Sequence, residues 1–271
     1  MRARRHPDTR LCIPLVAAVV LSCQSTSAPR RFDVVRRLPH DTAAYTQGLV
    51  YAGGQLYEST GRLGRSEVRK VDLLTGGVTA AASLAPDRFG EGLALLDGRL
   101  FQLTWKSGVG YVYDAATLAR TDSFSYAGEG WGLTTDGISL IMSDGTATLR
   151  FLDPSSFEIL AALTVRDGGS PLTQLNELEY VKGQIYANVY QSDWIVRIDA
   201  RTGEVREWID LAGLLPRKDR TRATDVLNGI AHDAASGHFL VTGKLWPTMF
   251  ELRLHQAPGD SGSRHAGDRD P

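Results

Sequence analysis

The chain has 271 residues, of which 42% are hydrophobic and 23% are charged, an ordinary composition for one large globular domain or two small ones. The formal charge is -1 at pH 7, and no basic stripe follows the first forty residues. Nucleic-acid binding, which needs a concentrated positive surface, is therefore not indicated.

The first 22 residues are typical of a secretory signal. Four arginines precede the apolar run LCIPLVAAVVLS, which is too short to span a bilayer. The segment carries four positive charges and one negative charge, so its removal leaves a formal charge of -4 (-1 - 3). We therefore predict an exported protein whose signal occupies residues 1–22.

The end of this signal resembles a bacterial lipobox. In Val20-Leu21-Ser22-Cys23 the cysteine would be lipidated and would become the first residue of the mature protein. The alternative is a plain signal that is cut near Thr26-Ser27-Ala28. Lipidation at Cys23 predicts a protein in the periplasm or at the cell surface, attached to a bacterial membrane only by its lipid and a flexible tether at residues 23–31. We expect the protein to be a monomer.

Residues 32–254 contain five repeats, each with a short polar or glycine-rich opening ahead of an alternating apolar run. The openings align at Leu49, Leu93, Leu133, Leu178 and Ile230, with spacings of 44, 40, 45 and 52 residues. This period is that of a four-stranded propeller blade. Glycine and aspartate turns separate the strands within each repeat. An all-β, five-bladed β-propeller is therefore predicted, and because it contains no cysteine its core must hold it together without disulfides.

The fifth repeat lacks an outer strand, because residues 255–271 form a polar, low-complexity tail that we predict to be disordered. The segment RFDVVRRL near Phe32 belongs to no repeat. We predict that it supplies the missing strand, so that an N-terminal strand pairs with the last blade and closes the ring. An insertion at residues 212–226 accounts for the longest spacing, and we expect it to cap one face as a short helix and loop.

Motifs in all five repeats resemble those of the plant and bacterial type of glutaminyl-peptide cyclotransferase. These motifs are YTQGL, FGEGL, EGWGL, LNELEY with ANV, LNGIA and GKLWP, in this order. The resemblance implies a five-bladed propeller that converts the N-terminal glutamine of a peptide to pyroglutamate and releases ammonia, without a cofactor or catalytic metal. It also implies that Glu91 is the acid/base and that the pocket is formed by Tyr45, Gln47, Phe89, Trp105, Trp131, Asn176 and Lys244. The family's usual tryptophan after ANV is Tyr190 here, which keeps a ring for stacking and adds a hydroxyl.

The implied reaction needs an acid but no enzyme nucleophile, because the substrate's own α-amine attacks its side-chain amide. Glu91, next to Phe89 and facing Trp105 and Trp131, is expected to have a pKa raised by desolvation. The alternative interpretation of Glu91 is a solvated acid at the end of a strand.

Several polar residues are candidates for binding the substrate around this acid. Lys244, Asn176 and Gln47 are expected to stabilise negative charge on the amide oxygen. Asn228 matches Asn176 in the next repeat, and it either binds substrate or fixes the strand entry.

Two further acids, Glu129 and Glu177, are interpreted as occupying the same blade-opening site in their own repeats as Glu91 does in its repeat. Either one would bind the substrate's ammonium group or a structural cation on the axis. His40, His232 and His238 show no metal-ligand spacing, so no metal site is predicted. Two rival functions remain open: a propeller that binds a peptide or a sugar without chemistry, and a metal-dependent lactonase of another propeller family.

Overall fold

The computed structural model describes residues 32–255, and the signal, the tether and all but the first residue of the tail lie outside the described residues. Five four-stranded antiparallel sheets are arranged as the blades of a propeller, and the only helix among the described residues is the 3₁₀ helix Arg217–Asp219. The predicted all-β, five-bladed propeller is confirmed. No helix in this part of the chain has the length and apolar character that crossing a membrane would take.

Blades 1 to 3 follow one another along the chain, each running from its innermost to its outermost strand. The first strand of the chain, β1 (Phe32–Pro39), belongs to blade 5. The strands of blades 1 to 3 are β2 (Thr46–Ala52), β3 (Gln55–Thr60), β4 (Glu67–Val71), β5 (Val78–Ser83), β6 (Gly90–Leu96), β7 (Arg99–Thr104), β8 (Val109–Asp114), β9 (Arg120–Ser125), β10 (Leu133–Thr135), β11 (Leu140–Met142), β12 (Thr148–Leu152) and β13 (Ile159–Thr164). A small hairpin, β14 (Arg166–Asp167) and β15 (Ser170–Pro171), leads into blade 4.

Blade 4 has the same order of strands, whereas blade 5 combines the two ends of the described chain. The strands of blade 4 are β16 (Leu175–Val181), β17 (Gln184–Val189), β18 (Trp194–Asp199) and β19 (Val205–Asp210). Blade 5 contains β20 (Leu227–Asp233), β21 (His238–Gly243), β22 (Thr248–Leu254) and, outermost, β1 (Phe32–Pro39). β1 and β22 pair antiparallel from Phe32 opposite Leu254 to Pro39 opposite Thr248.

The core of the molecule lies between the blades. Five clusters of buried apolar side chains fill the five junctions of neighbouring blades in residues 32–255. At one junction Leu49 and Leu56 of blade 1 pack with Leu240 of blade 5, and each is at most 2% exposed. Burial of each such leucine stabilises the fold by about 1.5–3 kcal/mol. Because each blade packs on both neighbours, the innermost strands are held at fixed positions around the axis.

The insertion at residues 212–226 contains the 3₁₀ helix and contributes Leu214 and Leu215 to the cluster between blades 4 and 5. Its last residues contact the cavity described below through Asp225, whose carboxylate accepts a hydrogen bond from the Tyr45 hydroxyl at 3.1 Å. The insertion is therefore packed on the propeller beside the cavity.

Candidate active site

Five equivalent positions surround the axis where the innermost strands begin. Each lies two residues before the aligned apolar residue of its repeat, and together they are Gln47, Glu91, Trp131, Asn176 and Asn228. In blades 1, 2, 4 and 5 the strand pairing shifts register at this position. A β-bulge re-aims the side chain that it carries. The bulges therefore direct polar side chains from successive blades toward one place.

The next position along each strand allows the blades to come close together. It is glycine in four blades, namely Gly48, Gly92, Gly132 and Gly229, and glutamate in the remaining blade. A Cβ atom on Gly92 would collide with the backbone of blade 3, and one on Gly132 would collide with the backbone of blade 4. The repeated glycine of the sequence motif is therefore required by the close approach of neighbouring backbones.

A cavity of about 230 Å³ opens at this end of the axis. Nine of the twelve predicted binding and catalytic residues line it: Tyr45, Gln47, Phe89, Glu91, Trp105, Trp131, Asn176, Tyr190 and Lys244. The other three, Glu129, Glu177 and Asn228, are not among the lining residues. The site is thus one compact cavity, to which all five blades contribute.

Glu91 is the buried acid of the cavity, with only 4% of the residue exposed. The side-chain amide of Gln47 donates a hydrogen bond to its Oε1 at 3.0 Å. Burial raises the pKa of Glu91 well above 4.5, the Lys244 ammonium opposes this rise, and the Glu129 carboxylate adds to it. A carboxylic acid with a raised pKa can both donate and accept a proton near neutral pH.

Lys244 places a buried cation against two aromatic walls. Its Nζ lies 4.9 Å from the ring centre of Tyr45 and 5.2 Å from that of Tyr190. Burial lowers the pKa of Lys244, and the carboxylates of Glu91 and Asp225 work against that decrease. The rings attract the ammonium through their π faces, so its position is fixed although few hydrogen bonds hold it.

Asn176 offers an amide to a ligand. The residue is 3% exposed and lines the cavity. Its backbone carbonyl accepts a hydrogen bond from the Ser143 hydroxyl at 2.7 Å, which fixes the bulge. Within the described residues its side-chain amide has no hydrogen-bond partner, so it is available to a molecule in the cavity.

Aromatic rings form the rest of the wall. Phe89 contacts Tyr45 at 6.1 Å and Trp105 at 5.7 Å between ring centres, and Trp131 contacts Tyr190 at 5.4 Å. The Phe89 ring occupies the space that a Cβ on residue 61 would need, which explains the glycine there. These walls exclude water from the buried acid and provide flat surfaces for methylene groups.

Glu129 does not face the cavity, and its predicted equivalence to Glu91 is wrong because it lies two residues before the equivalent position, which is occupied by Trp131. Its Oε2 accepts hydrogen bonds from the indole N–H groups of Trp105 at 2.7 Å and of Trp131 at 3.0 Å. These bonds, that from Trp131 foremost, lower the pKa of Glu129. Glu129 therefore orients the indoles of two walls of the cavity.

Glu177 and Asn228 are also used inside the protein. Glu177 lies one residue after the equivalent position, and its two oxygens accept the backbone N–H groups of Leu49 at 3.2 Å and Ile230 at 2.8 Å. Burial raises its pKa well above 4.5. Asn228 donates to the Thr46 carbonyl at 3.0 Å and to the Gln47 side chain at 3.3 Å. Both residues thus join blades around the axis, in place of the expected contact with substrate.

Asp225 is a residue of the site that the sequence analysis missed. Besides its bond to the Tyr45 hydroxyl, its backbone N–H donates to the Lys244 carbonyl at 3.0 Å and its carbonyl accepts from the Trp246 indole at 2.9 Å. It links the insertion to two cavity residues. The signal available in the sequence was its position two residues before Leu227, where the motif LNGIA of the fifth repeat begins.

No group of three or more His, Cys, Asp or Glu side chains in residues 32–255 is arranged to hold a metal ion. The polar groups of the cavity are one carboxyl group, one ammonium group, two amides and the aromatic N–H and O–H groups. Such a set suits proton transfer and the binding of an amide.

The family model for glutamine cyclotransferase matches residues 11–254, and the chain belongs to this family. The resemblance indicated by the motifs is thus confirmed. A glutaminyl-peptide cyclotransferase of Arabidopsis thaliana is 46% identical over 237 residues, which cover 85% of this chain and 73% of the plant protein. The crystal structure of Myxococcus xanthus glutaminyl cyclase superposes with a TM-score of 0.77 at 40% identity, covering 83% of this chain and 96% of the bacterial one.

Proposed function

We propose that this protein converts the N-terminal glutamine of peptides and proteins to pyroglutamate with release of ammonia. The observation that carries the proposal is the buried Glu91 carboxyl group, enclosed with Lys244 and Asn176 in the axial cavity of a glutamine cyclotransferase family member. In the reaction the α-nitrogen bonds to the side-chain amide carbon and the bond from that carbon to the amide nitrogen breaks.

The size of the cavity suits one terminal residue. Its volume of about 230 Å³ is below the range of about 300–1,000 Å³ that is typical of pockets for drug-sized ligands. A glutamine side chain curled so that its two ends meet fills such a space, while the rest of the peptide leaves through the mouth. Holding the amine against the amide contributes several kcal/mol, up to about 7–11 kcal/mol.

Glu91 moves the proton. The α-amine loses one proton as it attacks, and the amide nitrogen gains one proton as it leaves as ammonia, so a single carboxyl group can carry out both transfers. The productive complex holds one proton shared between the Glu91 carboxyl group and the α-amine, whose usual pKa is about 7.7–8.0. A raised Glu91 pKa brings the two groups close in proton affinity, which favours transfer in either direction.

Lys244 and Asn176 stabilise the negative charge that develops on the amide oxygen during attack. Both are nearly fully buried in the cavity wall, so they act at low dielectric and need little reorganisation. Gln47 holds one oxygen of Glu91 through its hydrogen bond, and the second oxygen is left for the substrate.

The proposal is tested by incubating the protein with a peptide that begins with glutamine and measuring ammonia release and the corresponding mass loss, with and without chelator. We expect turnover that chelator does not affect. Glu91→Gln should reduce kcat by about 10²–10⁴-fold, with a normal melting temperature. Glu158→Gln, at an exposed turn of blade 3, is the matched control. Absence of turnover by the wild type would leave a binding propeller as the better description, and loss with chelator would favour a metal mechanism.

We further propose that the protein is exported and anchored through Cys23, with the propeller on the outer side of a bacterial membrane. Support comes from the basic and apolar pattern of residues 1–22 and the lipobox-like Val20-Leu21-Ser22-Cys23. Cys23→Ser should move the protein from the membrane fraction to the soluble fraction. Unchanged fractionation would rule out acylation at this site.

A further inference from the structure

The mouth of the cavity has a basic border along one side. The wall on this side is the row of rings Tyr45, Phe89 and Trp105. A cation adjoins the ring at each end of this row: the Arg62 guanidinium lies 4.9 Å from the Tyr45 ring centre, and the Lys106 ammonium lies 4.2 Å from that of Trp105. These two cations form the basic border.

Arg62 differs from Lys106, because Lys106 has an acidic partner. The Lys106 ammonium lies 3.6 Å from a Glu129 oxygen. Within residues 32–255 the Arg62 guanidinium has no carboxylate partner, and the residue is exposed. Its charge is therefore free to meet a charge on a bound molecule.

The backbone holds Arg62 in this place. Its φ of 104° is unusual for a residue other than glycine. Its carbonyl accepts hydrogen bonds from the Arg65 N–H at 3.0 Å and from the Ser66 hydroxyl at 2.8 Å, and the Gly64 N–H bonds to the Pro86 carbonyl at 2.8 Å. These hydrogen bonds hold the loop together and attach it to the segment that precedes Phe89. They therefore fix the backbone from which the Arg62 side chain extends.

The Tyr45 ring separates Arg62 from the interior. It contacts both the buried Lys244 ammonium and the exposed Arg62 guanidinium. Each residue of a peptide that extends out of the cavity adds at most about 3.6 Å. In a peptide that leaves along the Tyr45 ring, the second and third residues would therefore pass within reach of the Arg62 side chain.

The basic border stands out from the rest of the molecule. Residues 32–255 carry 22 Lys and Arg and 27 Asp and Glu, a net charge of -5 (22 - 27). The Tyr45 hydroxyl bonds to the Asp225 carboxylate of the insertion. Arg62 therefore offers a positive charge beside the mouth of a propeller whose described residues are acidic overall.

We propose that Arg62 determines specificity, and that it favours peptides that carry Asp or Glu directly after the N-terminal glutamine. This inference rests on the proposed cyclase function. The interaction forms outside the reacting atoms and is equal in the ground state and the transition state, so it should lower KM and leave kcat unchanged.

The test compares three peptides, Gln-Glu-Ala, Gln-Ala-Ala and Gln-Lys-Ala, by their kcat and KM values at low and high salt. For the wild type we expect kcat/KM to be about 5-fold higher for Gln-Glu-Ala than for Gln-Lys-Ala at low salt, as for an exposed charge pair, and we expect this ratio to fall at high salt. Arg62→Glu should reverse the preference through KM. Arg62→Gly, which suits the positive φ, should weaken the preference without loss of stability.

Arg120→Glu is the matched control, since Arg120 also lies over a tyrosine ring, at 5.2 Å from the ring centre of Tyr111, but on the outer strand β9. It should leave all three ratios unchanged. Equal use of the acidic and basic peptides by the wild type, or an unchanged ratio in Arg62→Glu, overturns the inference while turnover of Gln-Ala-Ala still supports the cyclase. No turnover of any of the three peptides overturns both.

Discussion

Glu58 is buried where blade 1 meets blade 5, in a network of charged side chains. Its Oε1 lies 3.0 Å from the His40 Nε2 and accepts a hydrogen bond from the Thr46 hydroxyl at 2.7 Å. Its Oε2 accepts two hydrogen bonds from the Arg69 guanidinium, at 3.0 and 2.8 Å. The other ring nitrogen of His40 lies 2.7 Å from the Trp246 carbonyl, so both nitrogens face acceptors and the doubly protonated ring fits the site.

The replacement Glu58→Gln should therefore destabilise the fold strongly at neutral pH. Burial alone would raise the pKa of Glu58, but the charges of His40 and Arg69 outweigh burial and lower it from 4.5 to about 2. Lowering the pKa of Glu58 from 4.5 to about 2 corresponds to about 3 kcal/mol of stability at pH 7. Because the folded pKa is the lower one, this contribution is present above about pH 4.5 and is lost as the pH falls toward 2.

His40 has the opposite dependence. Burial lowers its pKa, but the charge and hydrogen bond of Glu58 outweigh burial, and the net pKa is raised above 6.5. Its contribution is present in full below pH 6.5 and is lost as the pH rises through the raised value. Together the two groups predict that the network is most stabilising between about pH 4.5 and pH 6.5.

The assay is urea unfolding of the wild type and of Glu58→Gln at pH 7 and pH 3. The difference in unfolding free energy should be about 3 kcal/mol at pH 7 and should fall to about half of that at pH 3, since the carboxyl group of the unfolded chain is then protonated while that of the folded chain is still largely ionised. The exposed control Glu158→Gln should change the free energy by less than about 0.5 kcal/mol. A difference that is small at pH 7, or that does not decrease with acid, would refute the electrostatic account of this junction.

Three further predictions concern the cavity. Removing the Glu129 charge should lower the pKa of Glu91, so Glu129→Gln should move the pH profile of kcat/KM to lower pH. Glu129→Ala should in addition reduce kcat/KM about 10-fold, because two indoles lose a charge-assisted acceptor. A pH profile that does not move would contradict the coupling between Glu129 and Glu91. Lys244→Met should move the profile of the residual activity to higher pH, because the ammonium lowers the pKa of Glu91, and a shift to lower pH would refute that sign. Gly132→Ala should destabilise the fold by about 1–3 kcal/mol in thermal unfolding, because the new methyl group would collide with the Asn176 carbonyl; a wild-type melting temperature would show that blades 3 and 4 can separate there without cost.

The sequence predicted the fold through the repeat, and it predicted most of the cavity through the resemblance of its motifs to those of the family. The spacing of the five openings gives the number of blades, and a residue next to an opening lies near the axis. Trp105 and Lys244, which follow second strands, reach the same end because each second strand returns toward the opening of its blade. The position of these two residues at that end follows from antiparallel pairing alone.

The exact positions within an opening could not be predicted in the same way. Glu129 and Glu177 differ from the equivalent position by two residues and one residue, and at a bulge such a shift sends a side chain to a different neighbour. Glu177 is directed to the backbone of two other blades, and Glu129 to the outer side of two indoles. Asp225 was missed because its role depends on how the insertion packs, which no repeat specifies.

The pairing of β1 with β22 also determines the face of the propeller at which the N-terminal segment joins it. β22 begins at Thr248, shortly after the cavity residue Lys244, and runs away from the cavity to Leu254, which is paired with Phe32. The polypeptide therefore enters the propeller at Phe32 on the face opposite the mouth. With the lipid at Cys23 that is proposed above, the tether would join the propeller on that face and leave the mouth unobstructed, so that the termini of folded proteins as well as short peptides could approach it.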